Sequence, residues 1–233
     1  MSAFLIACLA AVLALLLFLW TRHIKLRREA YIRNALLPKG LFDRLRKHHP
    51  HLSVKDCQLV ANGLRQFFLT HLKSGRQHVA MPSQVVDDLW HEFILHTKNY
   101  DAFCARAFGR FMHHTPAAVM FSSKQSNVGL RRCWWHACRE EHINPRAATR
   151  LPLLFAIDAK LGIAGGFRYV ADCSSLRRDA AASDGGVILY CGGDFSDLSV
   201  DGSLAGFGDG SGDSGGSDGG DGGDGGGCGG GGD

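Results

Sequence analysis

The chain has 233 residues, of which 45% are hydrophobic and 21% are charged, and its formal net charge is +4. This composition is too apolar for a wholly disordered protein, and the chain has no motif of a nucleic-acid-binding domain, so neither class is expected. The eight cysteines include no Cys-x-x-Cys pair, which excludes zinc-ribbon and thioredoxin-like modules.

The N-terminus predicts a membrane anchor over residues 1–21. Ala3 to Trp20 is an uncharged, almost wholly apolar run, and as a helix it is about 27 Å long, enough to cross the hydrocarbon layer of a bilayer. A cleaved signal peptide is the alternative. That class has a charged segment before the apolar run and small residues after it, whereas this run follows Met-Ser and ends in Leu19-Trp20.

Residues 22–50 form a basic juxtamembrane segment. Residues 21–50, which follow the apolar run, carry nine Lys or Arg against two acidic residues. No Lys or Arg precedes the run. The positive-inside bias therefore predicts a single-pass protein whose body is cytoplasmic, with the lipid bilayer as its first partner. In that reducing compartment the cysteines are expected to remain thiols.

Residues 51–145 are predicted to form a helical domain. Ser53 begins a helix through the capping-box variant SVKD, Ser74-Gly75 ends it, and Ser83 caps the next helix. A further helix is predicted from about Asn127 to His142. Apolar residues at helical spacing indicate a shared core.

The rest of the chain divides into two parts. Residues 146–193 predict an apolar helix up to Gly162 and then two short strands, 167–173 and 187–191, joined as a β-hairpin that brings Cys173 close to Cys191. Residues 194–233 carry nine Asp and no basic residue, and 18 of the 33 residues from Asp201 onward are Gly, so this tail is predicted to be disordered. The predicted fold class is mainly α, with a transmembrane helix, a small helical domain, a short hairpin and a Gly/Asp-rich tail.

The segment HEFILH, from His91 to His96, is not a zinc-peptidase motif. That motif needs two histidines four residues apart on one helix face. Here the histidines are five apart, which on a continuous helix separates them by about 140°.

A helix break at His96-Thr97 gives HEFILH a second interpretation. Thr97 would be the N-cap of a new helix that ends at Gly109, and a hairpin of the two helices would bring together His91, Tyr100, Cys104, His113 and His114. Imidazole and thiolate together suit zinc or a similar metal. In the alternative interpretation His91 only makes a hydrogen bond and Cys104 is an inert buried thiol, as the cysteines of the segment CWWHAC (133–138) are also expected to be.

The stretch VDDLWHEFILHTKNYDAFC resembles the core motif of the glycine-rich domain-containing protein-like family. The matching positions are Leu89, Trp90, His91, Leu95, Thr97, Tyr100 and Cys104, and the resemblance covers Met81 to Pro116. It implies a helical domain without an established catalytic set, in which Trp90 and Tyr100 are structural motif residues. The family usually places a stronger helix breaker where this chain has Thr97.

Two function classes therefore remain. The leading hypothesis is a membrane-tethered, non-enzymatic module that engages a protein partner through its helical domain or its acidic tail. The alternative is a metal-binding protein or metallohydrolase that uses His91 with Cys104 and His113 or His114, with zinc as the fitting metal. No catalytic residue is predicted, and no nucleic-acid partner is expected. The metal content of the protein distinguishes the two classes.

Overall fold

The computed structural model describes residues 2–114, 124–171 and 189–195. The predicted disordered tail, 194–233, lies outside them except for residues 194 and 195, where the prediction is wrong because they end a 3-10 helix in which Phe195 is buried. The described part is mainly helical, as the sequence predicts. Its helices are α1 (Ser2–Asn34), α2 (Leu41–His48), α3 (Val54–Lys73), α4 (Gln84–Leu95), α5 (Thr97–Phe108), α6 (Lys124–Glu140) and α7 (Leu153–Lys160). The strands are β1 (Arg168–Val170) and β2 (Leu189–Cys191), and a 3-10 helix, Gly192–Phe195, follows β2.

Helix α1 has two different halves. Its N-terminal half is exposed and apolar, and the helix from Ala3 to Asn34 is long and apolar enough to span a membrane, a test that a signal sequence also passes. Its C-terminal half belongs to the body: Ile32 is fully buried, and the ring of Tyr31 lies 5.7 Å from that of Phe103 on α5. The apolar segment thus continues into the folded body as one helix, without a linker.

Helix α3 lies at the centre of the core. Ser53 and Asp56 form the predicted capping box at its start, because the Ser53 hydroxyl accepts a hydrogen bond from the Asp56 amide and the Asp56 carboxylate accepts one from the Ser53 amide. Phe67 and Phe68 of α3 pack against Trp90 of α4, with ring centroids 5.0 and 6.0 Å from that of the indole. These contacts fix α4 against the core.

The predicted break between α4 and α5 is confirmed. Helix α4 ends at Leu95, and His96 lies between the helices with φ −82° and ψ 59°. Helix α5 starts at Thr97, so His96 and not Thr97 has the N-cap position, and its side chain makes no capping hydrogen bond. Gly109 ends α5 at φ 73°, a left-handed conformation that favours glycine, and the Arg28 guanidinium of α1 lies where a Cβ of residue 109 would be.

Helix α2 pairs with the outer face of α4. Nε2 of His49 lies 2.7 Å from a carboxylate oxygen of Asp88, and a guanidinium nitrogen of Arg44 lies 3.3 Å from a carboxylate oxygen of Glu92. Asp88 therefore points towards α2. Asp87, its neighbour on the helix, points to a different side and contacts His114.

The predicted β-hairpin is wrong. Strands β1 and β2 pair in parallel, with Tyr169 opposite Tyr190, whereas the strands of a hairpin are antiparallel. A parallel pair needs a crossover of a dozen or more residues, and residues 171–188 provide that length. Cys191 is disulfide-bonded, in contrast to the expected thiol, while the other described cysteines (Cys8, Cys57, Cys104, Cys133 and Cys138) are free.

Candidate metal centre

Helix α4 carries the site, and a buried carboxylate from α7 fixes its first turn. Ser83 caps α4: its hydroxyl accepts a hydrogen bond from the Val86 amide at 3.2 Å and donates one to Asp158 at 2.7 Å. Asp158 is 2% exposed and also accepts a hydrogen bond from the Gln84 amide at 2.7 Å. Asp87 lies in this anchored turn.

Three side chains converge beside that turn. Asp87 and His91 are four residues apart on α4 and so share a face, and His114 comes from the segment after α5. Nε2 of His114 donates a hydrogen bond to Oδ1 of Asp87 at 2.9 Å, and Nδ1 of His91 lies 3.6 Å from Oδ2 of Asp87. One ligand atom from each of the three residues lies within 4.8 Å of the others.

The three side chains differ in their access to solvent. The exposed fraction of the side chain is 6% for Asp87 and 10% for His114, but 48% for His91. A buried carboxylate needs a compensating charge or hydrogen bonds, and Asp87 has the two imidazoles and the first turn of a helix beside it. The cluster is therefore sheltered on the Asp87 side and open to water on the His91 side.

Hydrogen bonds to Met112 position the segment that carries His114. The Trp90 indole N–H donates to the Tyr100 hydroxyl at 3.1 Å, and that hydroxyl donates to the Met112 carbonyl at 2.6 Å. The Met112 amide in turn donates to the Cys104 sulfur. Both backbone polar groups of Met112 are thus bonded to side chains of α5, two residues before His114.

The structure brings together only two of the four residues that the sequence proposes as metal ligands. His91 and His114 are neighbours, with ring centroids 4.1 Å apart. Cys104 is fully buried beside Tyr100 and Met112, and burial raises the pKa of its thiol, which disfavours the thiolate that a metal needs. His113 turns away, with its ring 5.0 Å from that of Phe111.

Sequence reasoning missed Asp87 as a member of the cluster. The available signal was the spacing Asp-x-x-x-His from Asp87 to His91, which places a carboxylate and an imidazole on one helix face. No local pattern indicates that His114 completes the group, since that contact depends on the path of the chain after α5.

The second cysteine cluster is part of the core. Cys133, Trp134 and Cys138 are all fully buried on α6, as the predicted apolar stripe requires. Burial raises the pKa of both thiols to about 12, so they are protonated at neutral pH. These cysteines are small buried residues, as expected, and not thiolate ligands.

Comparison with known proteins places the chain in one family. No curated protein and no solved structure matches it. The resemblance to the glycine-rich domain-containing protein-like family is wrong, because the match is to a different family. The resemblance depended on a short motif of Trp-His, Tyr and Cys and on the glycine content of the tail, and these features are too unspecific to identify relatives. The sequence model of the UCP032817-like family matches residues 27–195, from the C-terminal half of α1 to the end of the 3-10 helix. The chain belongs to the UCP032817-like family.

Proposed function

We propose that the protein is a membrane-tethered helical module that binds a divalent transition metal, zinc or a similar ion, through Asp87, His91 and His114. One observation carries the proposal: these three side chains offer ligand atoms within 4.8 Å of one another, around a buried carboxylate. Two imidazoles and one carboxylate are a recurrent ligand set for zinc and for other first-row divalent ions.

The ligand geometry favours a metal with open coordination positions. Three protein ligands leave at least one position of a tetrahedral ion for water, and the solvent-exposed side of His91 provides access to it. In the described geometry a proton on Nε2 of His114 bridges to Asp87. A cation bound between these two residues takes the place of that proton, which moves to Nδ1 of the same ring. Because a metal ligand must be a neutral imidazole, binding weakens as the pH falls and the histidines are protonated.

The tether is the second part of the proposal. Helix α1 is long and apolar enough to span a membrane, and its C-terminal half packs on the body. The basic residues after Trp20 favour a cytoplasmic body, whereas the disulfide of Cys191 favours an oxidising compartment. Labelling of Cys228 in intact cells with an impermeant thiol reagent decides between them, because labelling without lysis places the body outside the cytoplasm.

Elemental analysis tests the metal. The full chain is purified in detergent without chelator, alongside Asp87→Asn and the matched neighbour Asp88→Asn, whose carboxylate faces α2. We expect about one zinc per chain in the wild type and in Asp88→Asn, and less than about a tenth in Asp87→Asn.

The competing hypothesis is the non-enzymatic interaction module without a metal. It predicts less than about a tenth of a metal ion per wild-type chain under the same conditions. That result would reject the metal centre and leave the interaction module as the better account.

A further inference from the structure

A separate cleft is lined in part by Trp90. It has a volume of about 460 Å³, a size typical of small-molecule sites, and it is bounded by the end of α3, the segment before α4 and residues 110–113. Asp87, His91 and His114 do not line it, and no Asp or Glu is among its described lining residues. Its walls combine one guanidinium, three imidazoles and apolar or aromatic side chains.

Arg110 carries the positive charge of the cleft wall, and a contact with Arg76, which does not line the cleft, holds it in place. The Arg76 guanidinium donates to the Phe108 carbonyl at 3.0 Å, and the Arg110 guanidinium donates to the Arg76 carbonyl. Arg76 has a φ of 62°, an uncommon backbone conformation for this residue type. A guanidinium has five N–H donors, so the anchored Arg110 side chain retains donors for an anion.

The imidazole of His71 forms a neutral wall between these charges and the core. Its Nδ1 donates to the Gln77 carbonyl at 3.0 Å. Burial, with a smaller contribution from Arg110 and Arg76, lowers the pKa of His71 to about 4. The Arg110 guanidinium therefore gives the cleft a positive charge that persists at neutral pH.

The cleft lies close to the end of the apolar segment. The Arg28 guanidinium of α1 lies against Gly109, next to Arg110. Arg28 follows Trp20 by eight residues, which is about 12 Å along a helix. Where the apolar half of α1 spans a bilayer, this distance places Arg110 near the lipid head groups.

We propose that the cleft binds the phosphate or carboxylate head group of an anionic amphiphile. Arg110 holds the anion through charge-assisted hydrogen bonds, and the apolar part of the molecule contacts Trp90, Phe111 and Met112. Phe111 is 44% exposed although it is large and apolar, which provides contact area at the rim. The inference rests on the membrane tether in the proposed function, and it is independent of the metal centre.

The test measures binding of radiolabelled lysophosphatidic acid to the full chain in phosphatidylcholine nanodiscs. We expect saturable binding, weakened about tenfold in Arg110→Gln. The matched control is Arg106→Gln, an exposed arginine on the last turn of α5 that does not line the cleft, and it should bind like the wild type. Lysophosphatidylcholine of the same chain length should bind at least tenfold more weakly, because its head group carries no net charge.

Two further measurements distinguish an amphiphile from a free anion as the ligand: binding of inorganic phosphate, and binding by the Phe111→Ala variant. We expect Phe111→Ala to weaken lysophosphatidic acid several-fold without changing phosphate binding. If phosphate binds as tightly as lysophosphatidic acid and both depend on Arg110, the ligand is a free anion and the amphiphile is rejected. Two results would overturn the proposal. One is an equal loss of lysophosphatidic acid binding in Arg106→Gln and Arg110→Gln. The other is the absence of saturable binding by wild-type protein that circular dichroism shows to be folded and helical.

Discussion

Two buried carboxylates lie near the start of α4, and their surroundings differ. Asp158 of α7 accepts hydrogen bonds from the Ser83 hydroxyl and from the backbone amides of Gln84, Val85 and Phe167, at 2.7, 2.7, 3.3 and 3.0 Å. Asp87 faces two imidazoles instead, with His114 at 2.9 Å and His91 at 3.6 Å.

The donors decide what each carboxylate can do. Three of the four donors to Asp158 are backbone amides, which cannot bind a metal, so this carboxylate joins α7 to the first turn of α4 and has a structural role. An imidazole can exchange its hydrogen bond for a bond to a metal ion. The comparison therefore indicates a structural role for Asp158 and supports the proposal that Asp87 is a metal ligand, although both side chains are almost inaccessible to water.

The largest expected effect is on stability, at Asp158. Asp158→Ala leaves a buried hydroxyl and three amides without their acceptor, and we expect a loss of about 3–5 kcal/mol in the free energy of unfolding. For a chain of this length that corresponds to a fall in melting temperature on the order of 10 °C, measured by circular dichroism. Asp101→Ala, on the exposed face of α5, should change it by about 1 °C at most. If the melting temperature of Asp158→Ala changes as little as that of Asp101→Ala, the structural role of Asp158 is rejected.

The next largest effect is on metal content, and it should distinguish two adjacent histidines, His113 and His114. His114→Ala removes the imidazole that contacts Asp87, so we expect zinc per chain to fall by about tenfold or more. His113→Ala removes an exposed imidazole beside Phe111 and should retain the metal. Elemental analysis of both variants provides the test. Loss of zinc in His113→Ala, or its retention in His114→Ala, would contradict the assignment.

A smaller effect is expected at Tyr100, which acts on the centre through the segment that carries His114. Tyr100→Phe leaves the Met112 carbonyl and the Trp90 N–H without their partner, at a cost of about 1–3 kcal/mol in stability. We expect one zinc site to remain, with an affinity reduced about tenfold in a competition titration with a chromogenic chelator. Tyr31→Phe, on α1, is the matched control. An unchanged affinity in Tyr100→Phe would show that the segment needs no such anchoring.

The smallest effect concerns the pH dependence of stability through His71. In the unfolded chain His71 takes up a proton below about pH 6.5. In the folded protein, burial lowers its pKa to about 4, with smaller contributions from Arg110, Arg76 and His78. The unfolded state thus binds more protons between these values, and stability falls as the pH drops from 6.5 towards 4. In chelator-treated protein, His71→Gln should reduce this acid-induced loss in chemical denaturation. An unchanged pH profile would mean that the folded histidine titrates normally.

Local sequence signals predicted most of the helices. The Ser53 capping box, the Ser83 cap and the glycine end at Gly109 are short-range features, and the structure has each of them. The break at His96-Thr97 follows from a residue type that often begins a helix, Thr97, with apolar residues at helical spacing after it. Such signals depend on neighbours within a turn or two, which the sequence shows directly.

The features that were not predicted depend on contacts between distant residues. Asp87 becomes a candidate ligand because residues 110–114 fold back over α4, and Cys104 is withdrawn from the site because it bonds Met112. Likewise, the pairing of β1 with β2 is parallel through a long connection, whereas two adjacent short strand patterns favour a hairpin. In each case the residues were visible in the sequence but their tertiary partners were not.

The most direct test of the central claim is the change in melting temperature when zinc is added to chelator-treated protein. A ligand that binds only the folded state at about 100 times its dissociation constant stabilises it by about 2.7 kcal/mol, so we expect the wild type to melt several degrees higher with zinc. Asp158→Asn should start from a lower melting temperature and show the same rise, while Asp87→Asn should show none. No rise in the wild type, or an equal rise in Asp87→Asn, would contradict the assignment of Asp87 as a metal ligand.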